Sequence, residues 1–95
     1  MALIKKNILE NGITTNYHRV VSVNNITNHA SIIEVASYVN EEKRKEEIEK
    51  LKNREPMDIF IHTEFISIDY VPNLNVDTAY EYLKTLDKFK NAKDN

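Results

Sequence analysis

Between Tyr17 and Asn40 the apolar positions follow the pattern of β-strands. Two runs rich in β-branched residues flank the segment 24–28, which reads Asn-Asn-Ile-Thr-Asn. Asparagine and threonine side chains can hydrogen bond to their own backbone in turns. Two strand-like runs joined by such a cluster predict an antiparallel hairpin, with strands at about 13–24 and 29–39.

A first strand is predicted at 3–9, because Asn11 and Gly12 follow it. Asn-Gly is the strongest short hairpin signal, since a type I′ turn needs positive φ at both central residues. If these two residues form the turn, Ile8 lies opposite Thr15. One face of the two strands then carries the apolar residues Ile4, Ile8, Ile13, Tyr17, Val21 and Val23. The opposite face carries Lys5, Asn7, Thr14, Asn16 and His18.

A helix is predicted at 41–53. Asn40 is a favourable N-cap, and the acidic residues that follow it lie where the helix dipole favours negative charge. Basic residues lie near the carbonyl end, and Pro56 stops the helix because the residue before a proline avoids the α region. The apolar content is limited to Ile48 and Leu51, which predicts a surface helix with one narrow contact stripe.

The segment 57–70 is the longest β-like run in the chain. One parity carries Ile59, Ile61 and Phe65, and the other carries Ile66, Ile68 and Tyr70. A straight strand cannot place both sets on one face. We therefore predict a bulge or bend near Thr63–Phe65, or two short strands with a break between them.

A second helix is predicted after Asn75, which can cap it. An amphipathic stripe follows at helical spacing, made of Val76, Ala79, Tyr80, Leu83 and Leu86. We expect this helix to pack on the sheet, with Phe89 extending the contact. The polar segment 91–95 is expected to be a frayed tail.

The composition is that of one small globular domain. Of the 95 residues, 41% are apolar and 29% are charged, which is too apolar for a disordered chain. We expect a single domain over 1–95 of the α+β class, with a mostly antiparallel sheet and the element order β-β-β-α-β-α. The net charge of -2 provides no basic field for nucleic acid or an anionic membrane. No run approaches the roughly 18 apolar residues of a membrane span.

Few residues are suited to catalysis, metal binding or cofactor binding. Cysteine is absent, which excludes thiol catalysis, zinc–thiolate sites and disulfides. His18, His29 and His62 lie in different segments without a close pair, so strand-face or loop histidines are favoured over a metal site. There is a single glycine and no phosphate-binding or nucleophile-elbow motif. We therefore expect neither an enzyme nor a bound cofactor.

Protein contacts are the remaining kind of function. Aromatic residues are enriched at protein interfaces, and Tyr82 lies off the apolar stripe of the second helix, where we expect it to be exposed. The edge of the sheet, or the 57–70 run, is the other natural contact. The candidate partner-contact residues are Phe60, His62, Glu64 and Tyr82.

Six stretches of the chain together resemble the sequence pattern of a known protein family. They are 16–23 (Asn-Tyr-His-Arg-Val-Val-Ser-Val), 32–38 (Ile-Ile-Glu-Val-Ala-Ser-Tyr), 41–44 (Glu-Glu-Lys-Arg), Pro56-Met57, the 60–67 strand and 79–84 (Ala-Tyr-Glu-Tyr-Leu-Lys). Over nearly the whole chain they resemble a family of small proteins encoded by bacteriophages and prophages of Gram-positive bacteria. We know of no catalytic or binding motif in that family, so the resemblance transfers no functional residue.

The resemblance implies a gene among the late structural genes, near tail and lysis functions. It therefore implies a non-enzymatic structural or assembly protein of the virion, tail- or baseplate-associated and made in the host cytoplasm. Its partners would be further copies of itself or other phage structural proteins, since tail parts are symmetric assemblies. The alternative is a small intracellular phage protein that binds and modulates a host protein.

Overall fold

The computed structural model describes residues 2–94 of the protein. The elements are β1 (Leu3–Ile8), β2 (Thr14–Ile26), β3 (Ala30–Tyr38), α1 (Glu41–Asn53), β4 (Ile61–Ile68), α2 (Val76–Leu83), a 3₁₀ helix (Asp87–Phe89) and β5 (Lys93–Asp94). The strands form one five-stranded antiparallel sheet in the order β4-β3-β2-β1-β5. The predicted α+β class and the order β-β-β-α-β-α are confirmed, and the 3₁₀ helix and β5 follow α2.

The apolar core lies between one face of the sheet and the C-terminal part of the chain. It consists of Leu3, Val20, Ile33 and Val35 from the sheet, with Leu74, Ala79, Tyr80, Leu83 and Phe89. We call this side of the sheet the core face. The other side, which α1 covers around Tyr38, we call the open face. Reciprocal hydrogen bonds of 2.9 Å between Asn75 and Thr78 cap α2. The predicted stripe of α2 is confirmed at Ala79, Tyr80 and Leu83, which are buried, whereas Val76 at the start of the helix is exposed.

The first hairpin differs from the predicted two-residue turn. The N–H of Leu9 donates to the carbonyl of Ile13 (2.8 Å), and the N–H of Gly12 donates to the carbonyl of Leu9 (2.8 Å). These bonds enclose a three-residue loop in which Gly12 has φ 87° and Asn11 does not have a positive φ. The type I′ turn is therefore wrong, and the glycine instead takes the left-handed position of a three-residue hairpin loop.

The predicted apolar face is wrong for Ile8 and Val21, which are exposed, although Val23 packs against the core as predicted. Ile8 pairs with Thr14 rather than Thr15, and its side chain is 69% exposed. The register shifts between Ile4 and Asn7 in β1 and again between Val20 and Ser22 in β2. Such irregularities invert the faces that follow. In β2, His18 and Val20 before the second shift and Val23 after it lie on the core face, whereas Val21 is exposed. Thr15 is also buried, but it lies on the opposite face from His18.

Strand β4 is regular, and the bulge predicted near Thr63–Phe65 is absent. Its pairing with β3 runs without a shift from Ile61 opposite Tyr38 to Ile68 opposite Ser31. The strand is also shorter than the 57–70 run. Its two parities occupy opposite faces: Ile66 packs against the core, and Phe65 is on the open face.

Helix α1 has the predicted bounds and the predicted Asn40 cap, which accepts a hydrogen bond from the N–H of Lys43 (3.0 Å). The predicted apolar contact stripe is wrong, because Ile48 and Leu51 are exposed. The buried residue is Glu47, with 8% exposure. It accepts a hydrogen bond of 2.6 Å from the Tyr38 hydroxyl and is paired with Arg44. A buried carboxylate therefore helps to attach this helix to the sheet.

The end of the chain is not the frayed tail expected for 91–95. Lys93 and Asp94 pair with Ile4 and Leu3 of β1. The Asp94 carboxylate also lies 2.9 Å from the ammonium of Lys84. The final position, 95, lies outside the described residues.

Candidate functional site

Three of the four predicted contact residues lie together on one stretch of chain. Phe60 precedes β4 and is partly exposed, and His62 and Glu64 lie on β4 with part of their surface accessible. Tyr82 does not fulfil the expectation of an exposed aromatic residue, because it is partly buried and packs against the core. The site is therefore β4, which is the last strand on its side of the sheet.

The direction of the β4 backbone follows from one hydrogen bond elsewhere in the sheet. The N–H of Val20 donates to the Tyr80 hydroxyl (2.8 Å), so it points away from β3. In an antiparallel pair, opposite residues either bond to each other or both turn away. Val35 lies opposite Val20, so the backbone of Val35 turns to β4 and bonds to Glu64, which lies opposite it.

The neighbours of Glu64 must then direct their backbone groups outward. Successive residues of a strand point their N–H and C=O groups to opposite sides. Thr63 and Phe65 therefore present both groups at the outer edge of β4, and Ile61 and Ser67 do so by the same alternation. Within residues 2–94, β3 is the only strand that pairs with β4.

This edge has few of the features by which proteins usually protect exposed strands. Protected edges are short, bulged or interrupted, or they carry charged residues or proline, and of these β4 has only the charged Glu64, which is paired with Lys88. β4 is eight residues long, contains neither lysine nor proline and pairs regularly with β3. At its middle, Phe65 is 69% exposed on the open face. The edge is therefore able to accept another strand.

The core-face side of the same edge is polar and paired. The ammonium of Lys88 lies 2.6 Å from the Glu64 carboxylate. A shallow cavity of about 560 Å³ adjoins the pair and extends to the tip of the first hairpin. Its lining includes His62, Glu64, Lys88, Glu10 and Asn11. Glu64 is thus held in position with its charge balanced, beside the neighbouring His62.

A second cavity of about 550 Å³ lies between α1, the start of α2 and β2. Charges of both signs line it, including Arg19, Arg44, Lys45, Glu41 and Asp77. Beside it, the guanidinium of Arg19 donates to the Tyr38 hydroxyl (3.1 Å), which itself donates to Glu47. Burial and the hydrogen bond to Glu47 raise the pKa of Tyr38. These groups bond to one another and link α1 to the sheet.

His18 forms the most closely hydrogen-bonded ionisable site. Its Nε2 donates to the carbonyl of Lys5 (2.7 Å), so its Nδ1 accepts from the Ser37 hydroxyl (2.7 Å). This resembles the base and nucleophile of a hydrolase. His18 is 1% exposed and Ser37 is 2% exposed, however, so a reactant cannot reach them. Burial lowers the pKa of His18, and the neutral ring joins three strands.

Metal ligands and membrane-spanning helices are two further features that bear on function. Within residues 2–94, no three His, Asp or Glu side chains converge as a metal site requires. Both helices in this range are too short or too polar to cross a lipid bilayer.

Sequence reasoning missed Thr63 and Phe65 as parts of the site. The available signal was the change of parity between Phe65 and Ile66, which we interpreted as a bulge. In a regular strand, the same pattern means that both faces carry large apolar residues. One of those faces is solvent-exposed at Phe65, which makes Phe65 a candidate contact residue.

No family model, curated protein or solved structure matches this chain.

Proposed function

We propose that the protein is a non-enzymatic structural or assembly protein whose contacts with other protein chains are made along the outer edge of β4. In the setting that the sequence resemblance implies, these contacts form within a phage particle, in the tail or baseplate. The contact residues are Phe60, His62, Glu64 and Phe65, with the backbone of Thr63 at the centre.

The open edge of β4 is the observation that supports this proposal. An eight-residue strand without lysine, proline or a bulge would be an aggregation risk unless a partner covers it. A strand from another chain would satisfy the outward N–H and C=O groups, and the side chains beside them would select the partner. Phe65 supplies an exposed aromatic side chain of the kind that is enriched at protein interfaces.

Thr63→Pro is the variant that tests the edge. Proline removes the outward N–H of residue 63, which is not bonded to β3, so the fold should tolerate it. The matched control is Thr63→Ala, which removes the side chain and keeps the N–H. We expect both variants to fold, as judged by circular dichroism, and only Thr63→Pro to lose incorporation into assembled particles.

Mass spectrometry of purified particles measures the proposed setting directly. The wild-type chain and Thr63→Ala should be present at a fixed copy number, and Thr63→Pro should be depleted. Absence of the wild-type chain from particles would contradict the virion role and favour an intracellular host-binding protein. Equal incorporation of Thr63→Pro would show that the contact is made elsewhere.

A further inference from the structure

We infer that the first partner of the β4 edge is the β4 edge of a second copy of this chain, with the two strands antiparallel and Thr63 on the twofold axis. This inference rests on the proposed function, because it names the partner of the same edge. The two sheets would then join into one continuous sheet across the dimer.

The backbone directions support this register. With Thr63 opposite Thr63 of the second copy, Ile61 lies opposite Phe65, and Phe65 lies opposite Ile61. All three residues point their backbone groups outward, so each opposite pair is of the type that exchanges two hydrogen bonds. A twofold axis perpendicular to a sheet keeps each face on its own side, which this arrangement satisfies.

The side chains on the core face are complementary in the same register. His62 lies opposite Glu64 of the second copy, and this pair occurs on each side of the axis. A histidine N–H can donate to a carboxylate, and opposite pairs of this kind stabilise antiparallel strands. Lys88 already holds Glu64 through its 2.6 Å contact, so the carboxylate is in place before the second copy arrives.

The open face is complementary too. Phe65, which is 69% exposed in the single chain, would lie against Ile61 of the second copy. Aromatic and β-branched residues are a favourable cross-strand pair. Just before β4, Phe60 would reach Ile66 of the second copy on the core face.

Neighbouring registers are less favourable. Moving the axis to Glu64 would set two carboxylates directly opposite each other, which destabilises a strand pair. Moving the axis to Phe65 would place Glu64 opposite the apolar Ile66 and leave His62 without a carboxylate. Charge complementarity therefore selects Thr63 as the central residue.

Single cysteine variants test the register, because the chain has no cysteine of its own. In a hydrogen-bonded pair the two Cα atoms of residue 63 would lie about 5.5 Å apart, within the roughly 4.4–6.8 Å that a disulfide spans. Ser67→Cys is the matched control, on the same strand and the same face. In this register its two copies would be roughly 26 Å apart.

Under mild oxidation we expect Thr63→Cys to form a covalent dimer of twice the 11.1 kDa chain, and Ser67→Cys to remain monomeric. Equal cross-linking of the two variants would indicate random collision and would overturn the inference. Preferential cross-linking of Phe65→Cys or Glu64→Cys would overturn the register.

Sedimentation of the unmodified chain provides a second measurement. We expect reversible self-association, weakened about tenfold or more by Thr63→Pro, because each dimer loses the two backbone hydrogen bonds between the Thr63 residues. A strict monomer at all concentrations would overturn the second-copy inference. If Thr63→Pro then still lost incorporation into particles, the proposed function would stand with a different partner.

Discussion

At one edge of the sheet, β5 is two residues long, and both residues are charged and exposed. At the other edge, β4 presents eight residues with an exposed phenylalanine in the middle. We call the β5 side of the sheet the closed side. There the pairing of β1 with β2 ends at the pair Leu3–His18, and β2 continues beyond it. The Tyr80 hydroxyl accepts the hydrogen bond from the N–H of Val20 in this uncovered part. The chain thus closes one edge with a short strand and a side-chain hydroxyl, and leaves the other edge able to pair.

Substituting one phenylalanine on each side of the sheet gives the largest expected effect. Phe89, fully buried beside His18 with ring centroids 5.1 Å apart, belongs to the closed side, and Phe65 belongs to the open side. Phe89→Ala should reduce the free energy of unfolding by about 3–5 kcal/mol, because it leaves a cavity in the core. Phe65→Ala should change it by about 0.5 kcal/mol or less. Urea denaturation at low protein concentration measures both, and similar losses would contradict the comparison.

Proline substitution at adjacent positions of β4 gives the next largest effect. Glu64→Pro removes a ladder hydrogen bond to β3 and leaves its acceptor unpaired, so it should reduce the free energy of unfolding by about 1–3 kcal/mol. Thr63→Pro removes only an outward N–H and should reduce it by less than about 1 kcal/mol. Thermal denaturation of the two variants measures the difference. The opposite order would mean that the outward residues have the other parity.

Tyr80→Phe tests the hydroxyl that completes the closed side. The substitution leaves the N–H of Val20 without its partner at a buried position, so we expect a loss of about 1–2 kcal/mol in the free energy of unfolding. Chemical denaturation measures this loss. Tyr82→Phe is the matched control and should have a smaller effect, since Tyr82 only packs against the margin of the core. Equal effects would remove the special role of the Tyr80 hydroxyl.

The pH dependence of stability tests His18, which joins β1, β2 and β3 on the closed side. Because burial lowers its pKa in the folded chain, the unfolded chain binds more protons once the pH falls below about 6.5. The free energy of unfolding should therefore decrease as the pH falls from 7.5 toward 5.5 (roughly the histidine range).

His18→Gln keeps a donor for the Lys5 carbonyl and an acceptor for the Ser37 hydroxyl, and it cannot titrate. We expect the variant to show a flatter pH profile than the wild type over the same range. His29 and His62 are present in both chains, so the comparison isolates the change at position 18. Identical slopes would mean that His18 is not held neutral.

Much of the architecture could be predicted from local patterns. The bounds of α1 follow from the Asn40 cap and the charges of its ends, and the packing of α2 follows from its helical stripe. These signals come from residues that are close in sequence, where spacing determines the face that a side chain occupies.

The errors arose where the structure depends on distant residues. The shift between Val20 and Ser22 is a property of the pairing of β2 with β3. Because of it, no straight strand could place both Val20 and Val23 on the core face, and the predicted face holds for Val23 only. His18 is polar and was placed on the exposed face, but Ser37 and the Lys5 carbonyl satisfy it in the core. Glu47 is buried for a similar reason, since Tyr38 lies across from it. The identity of β4 as an edge strand also depends on the complete sheet order.

Hydrogen exchange of individual amides in β4 tests the central claim most directly. In the dilute single chain, the amides of Thr63 and Phe65 should exchange rapidly, and those of Glu64 and Ile66 should be protected by β3. As the chain associates, the first pair should become protected while the second pair changes little. If Thr63 and Phe65 were already protected in the single chain, or stayed unprotected in the assembled state, β4 would not be the contact edge.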